Sequence, residues 1–465
     1  MQQPGSSRAT SRTILIEFNE LSPRLLDRFI AEGHLPAFRA FRDSSVVFTT
    51  DAGEDPPALE PWIQWVTVHS GLPYSEHQVF ALGDGRRKLT KPLLGDVLAR
   101  AGVPVGIFSS MNTNYLRRPG DAGYVVPDPW DVDGVAYPQS LQPFYETVSA
   151  AVQESSRDAL PGPAQLAKFG LFLVRNGLRP ATVKQAIAQL VNEKRTGGGR
   201  WKRATVLDAL NYDVFRALNK RFDVRFATFF SNSTAHYQHY YWRDLEPELF
   251  TEPGDGTYAE AVLHGYESMD RLLAKIMADY PDALLILATA LSQEPWTDTE
   301  KRTYRPRDFA ELLAFARVSG GVAKPMMAEQ FVVALPGEQA AIRAEEQLRA
   351  LVTDGGEPVL KVDRDGDQLQ VGARRAAAAD GAVVINPETG ARRRHDELFY
   401  AIHTTRSGRH HRDGALWFRT GEHRVVPGRV PLTDIAPTIL EHFGVPQPEH
   451  MKGKPLPLRA PASVR

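Results

Sequence analysis

The sequence predicts an α/β fold on three observations. Short apolar runs rich in β-branched and aromatic residues recur at 13–18, 46–50, 103–109, 224–230 and 284–288, the pattern of buried strands. Amphipathic stretches separate them at 24–32, 61–70, 90–100 and 258–280. Punctuation sits where helices begin and end: Ser22-Pro23 opens one, while Gly33, Gly71 and Gly102 each close one. Strands alternating with helices indicate a layered α/β domain.

Composition narrows the functional classes. The 465 residues are 42% hydrophobic and 24% charged, with a formal net charge of −1. That balance gives no polyanion-binding signal, so no nucleic-acid partner is expected. The chain has no cysteine, which excludes disulfides, thiolate metal sites and a cysteine nucleophile. Residues 1–12 are polar, lack the apolar core of a signal peptide, and read as a disordered tail. No apolar run is long enough to span a bilayer, so a cytoplasmic protein with no membrane span is expected.

The rest of the chain, 13–460, reads as one domain carrying two additions. Residues 141–219 are helical by pattern, broken at Pro161-Gly162-Pro163, at Pro180 and at Gly197-Gly198-Gly199. That glycine run lacks a preceding strand, so it reads as a loop rather than a phosphate cradle. Residues 317–375 read as a small α+β subdomain: a strand at 331–335, a helix at 338–351, and a hairpin turning at Asp365-Gly366. Both additions are placed to cap a cleft and select its ligand. Arg392-Arg393-Arg394-His395 reads as a solvated loop, 415–418 as a short strand and 433–443 as the last helix.

Several motifs, taken in order, resemble the alkaline phosphatase superfamily, and within it the type I phosphodiesterase and nucleotide pyrophosphatase branch. They are Leu21-Ser22-Pro23-Arg24-Leu25-Leu26-Asp27 with Gly33-His34-Leu35-Pro36-Ala37-Phe38, then 62–77 with Ser70-Gly71-Leu72-Pro73, and finally Thr433-Asp434-Ile435-Ala436-Pro437-Thr438 with Met451-Lys452-Gly453-Lys454-Pro455-Leu456. The resemblance implies a three-layer α/β/α sandwich with a mostly parallel central sheet and a site at the carboxyl ends of its strands. It also implies two metals, often zinc, held by Asp and His, that activate a Thr or Ser nucleophile.

Most of those ligands are replaced. The stretches Leu15-Ile16-Glu17-Phe18-Asn19-Glu20, Ser233-Thr234-Ala235-His236-Tyr237-Gln238-His239 and 286–292 read like the family's active-site strands. The first aspartate falls on Asn19, the next on Ala235, and an Asp-His pair on Ala290-Leu291, whereas two histidines are kept as His239 and His410. Leu59 and Glu60 stand where the nucleophile is expected. A two-metal site is therefore not expected. His236, three residues before His239, lies on the same side of a helical turn, so His236, His239 and His410 form a candidate one-zinc set. The alternative places His236 and His239 in an aromatic cluster with Tyr237, Tyr240 and Tyr241.

Glu60, Glu17 and Asn19 are the candidate catalytic residues. A glutamate buried in the first strand could act as acid or base, or could form a structural pair with an arginine. Glu60 could equally be an acid favoured at a helix N-terminus, and Glu20 an early loop residue. Three functions stay open: a diverged enzyme acting on an anionic phosphate-, sulfate- or acyl-containing small molecule, a pseudoenzyme that binds such a ligand, and an ordinary metal-dependent phosphodiesterase. Oligomeric state is unreadable.

Overall fold

Five parallel strands carry the fold: β1 (Thr13–Phe18), β3 (Val105–Phe108), β4 (Gly123–Val126), β5 (Phe226–Ser231) and β6 (Leu284–Ala288), in the order β6-β1-β5-β3-β4. Beyond β6 the strand Asp413–Arg419 runs antiparallel, followed by β2 (Ser45–Asp51) and Arg424–Pro431, which completes an eight-stranded sheet. A computed structural model describes residues 12–459 except 114, 116–121, 132, 154–162, 298–302, 327–329, 375–380 and 403–405. Apart from Arg12, the predicted disordered tail lies outside the described residues.

Alternation along β1 divides the core into layers. Ile14, Ile16 and Phe18 join a cluster with Leu25 and Phe29 of the Pro23–Ala31 helix, Phe215 of the Arg203–Arg221 helix, and Tyr266 and Met269 of the Ala261–Asp279 helix. Leu15 joins the opposite cluster, with Ile63 and Trp65 of the Pro61–Ser70 helix, Leu98, and Ile439 of the Ile435–Phe443 helix. Helices thus cover both faces, as an all-buried parallel strand requires. The fold is the predicted α/β/α sandwich.

A third cluster, from Tyr304 to Phe399, packs the Glu338–Arg349 helix on a four-stranded antiparallel sheet. Its hairpin pairs Leu360–Asp365 with Gln368–Ala373 around the Asp365-Gly366 turn.

The structure departs from the sequence reading at several points. Residues 233–239 are not strand but the first turns of the Ser233–Leu245 helix, because Tyr237, Tyr241 and Trp242 recur at helical spacing and bury one side. Ser22 occupies the N-cap position of the first helix, yet its side chain makes no capping bond. Its N–H donates instead to the Tyr266 hydroxyl at 2.8 Å. The Arg392–Arg394 run is an exposed strand paired with Val383–Ile385, while His395 is buried and stacks on Phe399. Two edge strands went unread. Gly123 obscured β4: its backbone lies so close to Val105 that a Cβ would sit 1.9 Å from the Val105 carbonyl oxygen. In Arg424–Pro431 a bulge between Val425 and Arg429 breaks the strand period.

The carboxyl ends of β1, β5 and β6 place Asn19-Glu20, Asn232 and Thr289-Ala290 on one edge. Glu20 and Ala290 both take left-handed backbone, at φ 61° and 59°. For non-glycine residues this costs on the order of 1–3 kcal/mol each and is concentrated at functional edges.

Behind the Pro61–Ser70 helix, His77 fastens the following turn. Its Nδ1 accepts from the Val79 N–H at 3.1 Å, so its Nε2–H donates to the Thr67 hydroxyl at 3.2 Å. The Thr67 hydroxyl is thereby engaged within this turn. Burial lowers the His77 pKa from 6.5 to about 4. A histidine depressed in the folded state binds its proton more readily unfolded. Its contribution is therefore fully present above pH 6.5 and is lost as pH falls towards 4, amounting to about 2 kcal/mol between pH 7 and 5. His77→Asn keeps an acceptor for Val79 but cannot titrate. Urea unfolding at both pH values should show the variant losing less stability than the parent, and equal losses would remove His77 from the account.

Candidate functional site

Three elements converge on Glu20. The end of β1 supplies Asn19 and Glu20, the Ser233–Leu245 helix supplies His239, and the strand Gly408–His411 supplies His410. Gly408 permits the last approach, since a Cβ there would lie 2.4 Å from the Gln238 carbonyl oxygen. The same strand pairs antiparallel with Ser292–Pro295 and sets His410 opposite Gln293.

The geometry is close. Glu20 Oε2 lies 3.1 Å from His239 Nε2 and 3.3 Å from His410 Nε2. Among the described residues these three form a group whose ligand atoms all lie within 4.8 Å of one another. The far side of each ring meets a backbone carbonyl: His239 Nδ1 is 3.1 Å from Gly408 O, and His410 Nδ1 is 2.9 Å from Leu59 O. A carbonyl can only accept, so both Nδ1 atoms carry hydrogen. In a neutral ring Nε2 is then a bare lone pair. His410 Nε2 is buried and makes no hydrogen bond. With both rings neutral three acceptors would converge, and a positive charge between them, a proton or a metal ion, relieves that repulsion.

Neighbours hold the carboxylate in place. Asn19 Nδ2 donates to Glu20 Oε1 at 2.7 Å, and Gln293 Nε2 donates to Oε2 at 2.5 Å. The left-handed backbone at Glu20 breaks strand alternation, which lets adjacent side chains 19 and 20 touch. Asn19 also donates to Asn232 Oδ1 at 2.7 Å, and its own Oδ1 accepts from Trp65 Nε1 at 2.7 Å. Its amide is fully used, so Asn19 positions Glu20.

Electrostatics within the group are uneven. Burial raises the Glu20 pKa, but the adjacent His410 and His239 outweigh it and hold the carboxyl well below its usual range. The two rings share that carboxylate yet move in opposite directions. Burial and the Arg406 charge take His239 down to about 4 against the pull of Glu20. Burial also lowers His410, but there Glu60 and Glu20 together prevail and raise it. Glu60 Oε2 lies 3.3 Å from His410 Nδ1, at the N-cap of the Pro61–Ser70 helix.

The other candidates fall elsewhere. Glu17 is fully buried but faces the opposite histidine-bearing helix: Oε1 lies 2.8 Å from His69 Nε2 and accepts from Ser110 Oγ at 3.2 Å, and Tyr115 meets the other ring nitrogen. Its partner is a histidine, not an arginine. His236 stands outside the converging group, with its ring 4.9 Å from that of Tyr240. Glu20 and Gln293 were not singled out as site residues by sequence reasoning. Glu20 did carry a signal, a carboxylate one position from the expected ligand, but it read equally as an early loop residue.

No family model matches the sequence, and no curated protein matches it. Among solved structures, the chain is similar to phosphonoacetate hydrolase from Sinorhizobium meliloti 1021 in complex with phosphonoformate, at 13% identity and a TM-score of 0.41 over 94% of this chain and 96% of that one. It is similar to murine ectonucleotide pyrophosphatase/phosphodiesterase 5 at 9% identity and 0.43, over 95% and 97%. A mutant of alkaline phosphatase PafA gives 12% identity and 0.44, over 96% and 98%.

Asn19→Asp tests the acceptor-rich character of this edge. It sets a second buried carboxylate against Glu20 and removes the donor that holds it, which should cost about 2–4 kcal/mol. Thermal unfolding in chelator should show a lowered Tm. An unchanged Tm in chelator would mean that the two side chains do not touch.

Proposed function

We propose that this chain is a divergent member of the alkaline phosphatase superfamily that binds one metal ion, zinc by its donors, on Glu20, His239 and His410. Glu20 takes the place that the sequence assigns to His236. The observation that carries the reading is the convergence of two histidine Nε2 atoms on one carboxylate oxygen, with both opposite ring nitrogens anchored on carbonyls. Metal-binding histidines are typically oriented in this way by an outer partner. Two histidines and a glutamate with an open position make a common catalytic zinc set.

A zinc bound there would polarise a substrate oxygen and lower the pKa of a coordinated water. The chain's own residues do the rest. Gly408 and Leu59 fix the two rings, Asn19 and Gln293 orient the carboxylate, and Glu60 stands at hydrogen-bonding range of His410 to hold or release a proton. Ala290 and Leu291, at the position of the expected second set, offer no ligand side chain. The substrate class proposed is an anionic phosphate-, sulfate- or acyl-containing small molecule. A metal-free acid–base reading rests on His410, whose ring is flanked by two carboxylates.

Elemental mass spectrometry on untagged protein purified without chelators separates these readings. About one zinc per chain is expected, lost in Glu20→Gln, His239→Ala and His410→Ala but retained in His236→Ala. Two metals per chain would restore a conventional phosphodiesterase site. No metal would leave acid–base chemistry or ligand binding. With one zinc present, Glu60→Gln should lower turnover of the best aryl phosphate, sulfate or acyl ester by roughly 10²-fold or more, as loss of a general acid or base does.

A further inference from the structure

Two consecutive helices, Pro163–Arg175 and Pro180–Thr196, turn an unusual face to solvent. Leu171 and Val174 of the first, and Ile187, Leu190 and Val191 of the second, are 51% to 68% exposed. In the second helix these recur at i, i+3 and i+4, the spacing of one continuous stripe. Interleaved with them, Lys168, Arg175, Lys184, Lys194 and Arg195 are also exposed. The only acid on either helix is Glu193, which is turned in and paired with Arg203 at 2.6 Å.

The charge is segregated. Residues 163–203 hold nine lysines and arginines against that single glutamate, in a chain whose net charge is −1; Arg203 pairs with Glu193 and Arg179 with Asp279 from outside the segment. Beside the second helix lies a groove of about 530 Å³ lined by Lys202 and Arg271 together with Gln185, Gln189, Asn192 and His264, and among the described residues no acid lines it.

From this combination we infer that the helical pair docks peripherally on an anionic lipid surface. An apolar stripe bordered by cations suits the boundary between acyl chains and headgroups. The basic residues add attraction to anionic lipids, and the groove suits a headgroup phosphate. The alternatives fit less well. A second copy would bring two like-charged faces together. A nucleic acid would match the cations but leave the apolar stripe uncovered. Among the described residues no helix is long and apolar enough to cross a membrane, so the contact is with the surface.

The test is co-sedimentation of the full chain with vesicles of phosphatidylcholine alone and of an equal mixture of phosphatidylcholine and phosphatidylglycerol. Binding is expected to the mixed vesicles, weakening as salt rises, and not to the neutral ones. Ile187→Gln with Val191→Gln, and separately Lys184→Gln with Lys194→Gln, should each weaken partitioning by roughly tenfold or more. All four positions are exposed, so an unchanged Tm would confirm that folding is intact. Equal binding to both vesicles, no binding to either, or indifference to both variant pairs would overturn the inference. So would a dimer that Ile187→Gln dissociates, since the face would then be a self-interface.

Discussion

The Glu20 carboxylate, set between two imidazoles, organises the edge on which any chemistry would take place. It is 2% exposed, and a charge taken so far out of water costs several kcal/mol unless it is paired and hydrogen-bonded. Four side chains from four segments meet that requirement: Asn19 beside it, Gln293, His239 and His410. Removing the carboxylate would leave two inward-facing histidine nitrogens without a shared partner. The strand pair that brings Gln293 and His410 together, and the glycine that lets it approach the His239 helix, therefore have one purpose in common.

The positions that the resemblance assigns to further ligands have structural partners of their own. Asn19 is tied on one side to Trp65 and on the other to Asn232, so it passes rigidity from the Pro61–Ser70 helix and the end of β5 into Glu20. Ala290 contributes left-handed backbone and Leu291 contributes packing. Glu17 serves the layer beneath, where it joins β1 to His69 and Ser110. β1 and the two residues after it thus carry Glu17, Asn19 and Glu20, of which only Glu20 lies in the converging group.

Charge distribution adds a property that totals conceal. A net charge of −1 describes a chain whose helical segment 163–203 is strongly basic. Most of the balancing acids lie elsewhere, as in the pairs of Asp84 with Arg87 and Glu246 with Arg24, although Asp279 pairs with Arg179 of the segment itself. Electrostatic attraction to a surface depends on the local field within about a Debye length, so the segment rather than the sum governs it.

The sequence by itself determined the layered α/β fold, because buried parallel strands and amphipathic helices each impose a period that can be counted. It also singled out His239, His410 and Glu60, since residue type survives where a motif is only partly kept. Tertiary structure alone decided which groups meet. Glu20 enters the site because one left-handed residue reverses strand alternation, and Gln293 enters through strand pairing with a segment more than a hundred residues away. His236 lies apart from His239 because the neighbouring tyrosines hold its ring, a choice that an i, i+3 spacing leaves undetermined. Period and residue type are local properties of a chain, whereas backbone handedness at a strand end and pairing across a sheet are set by what the rest of the molecule packs against them.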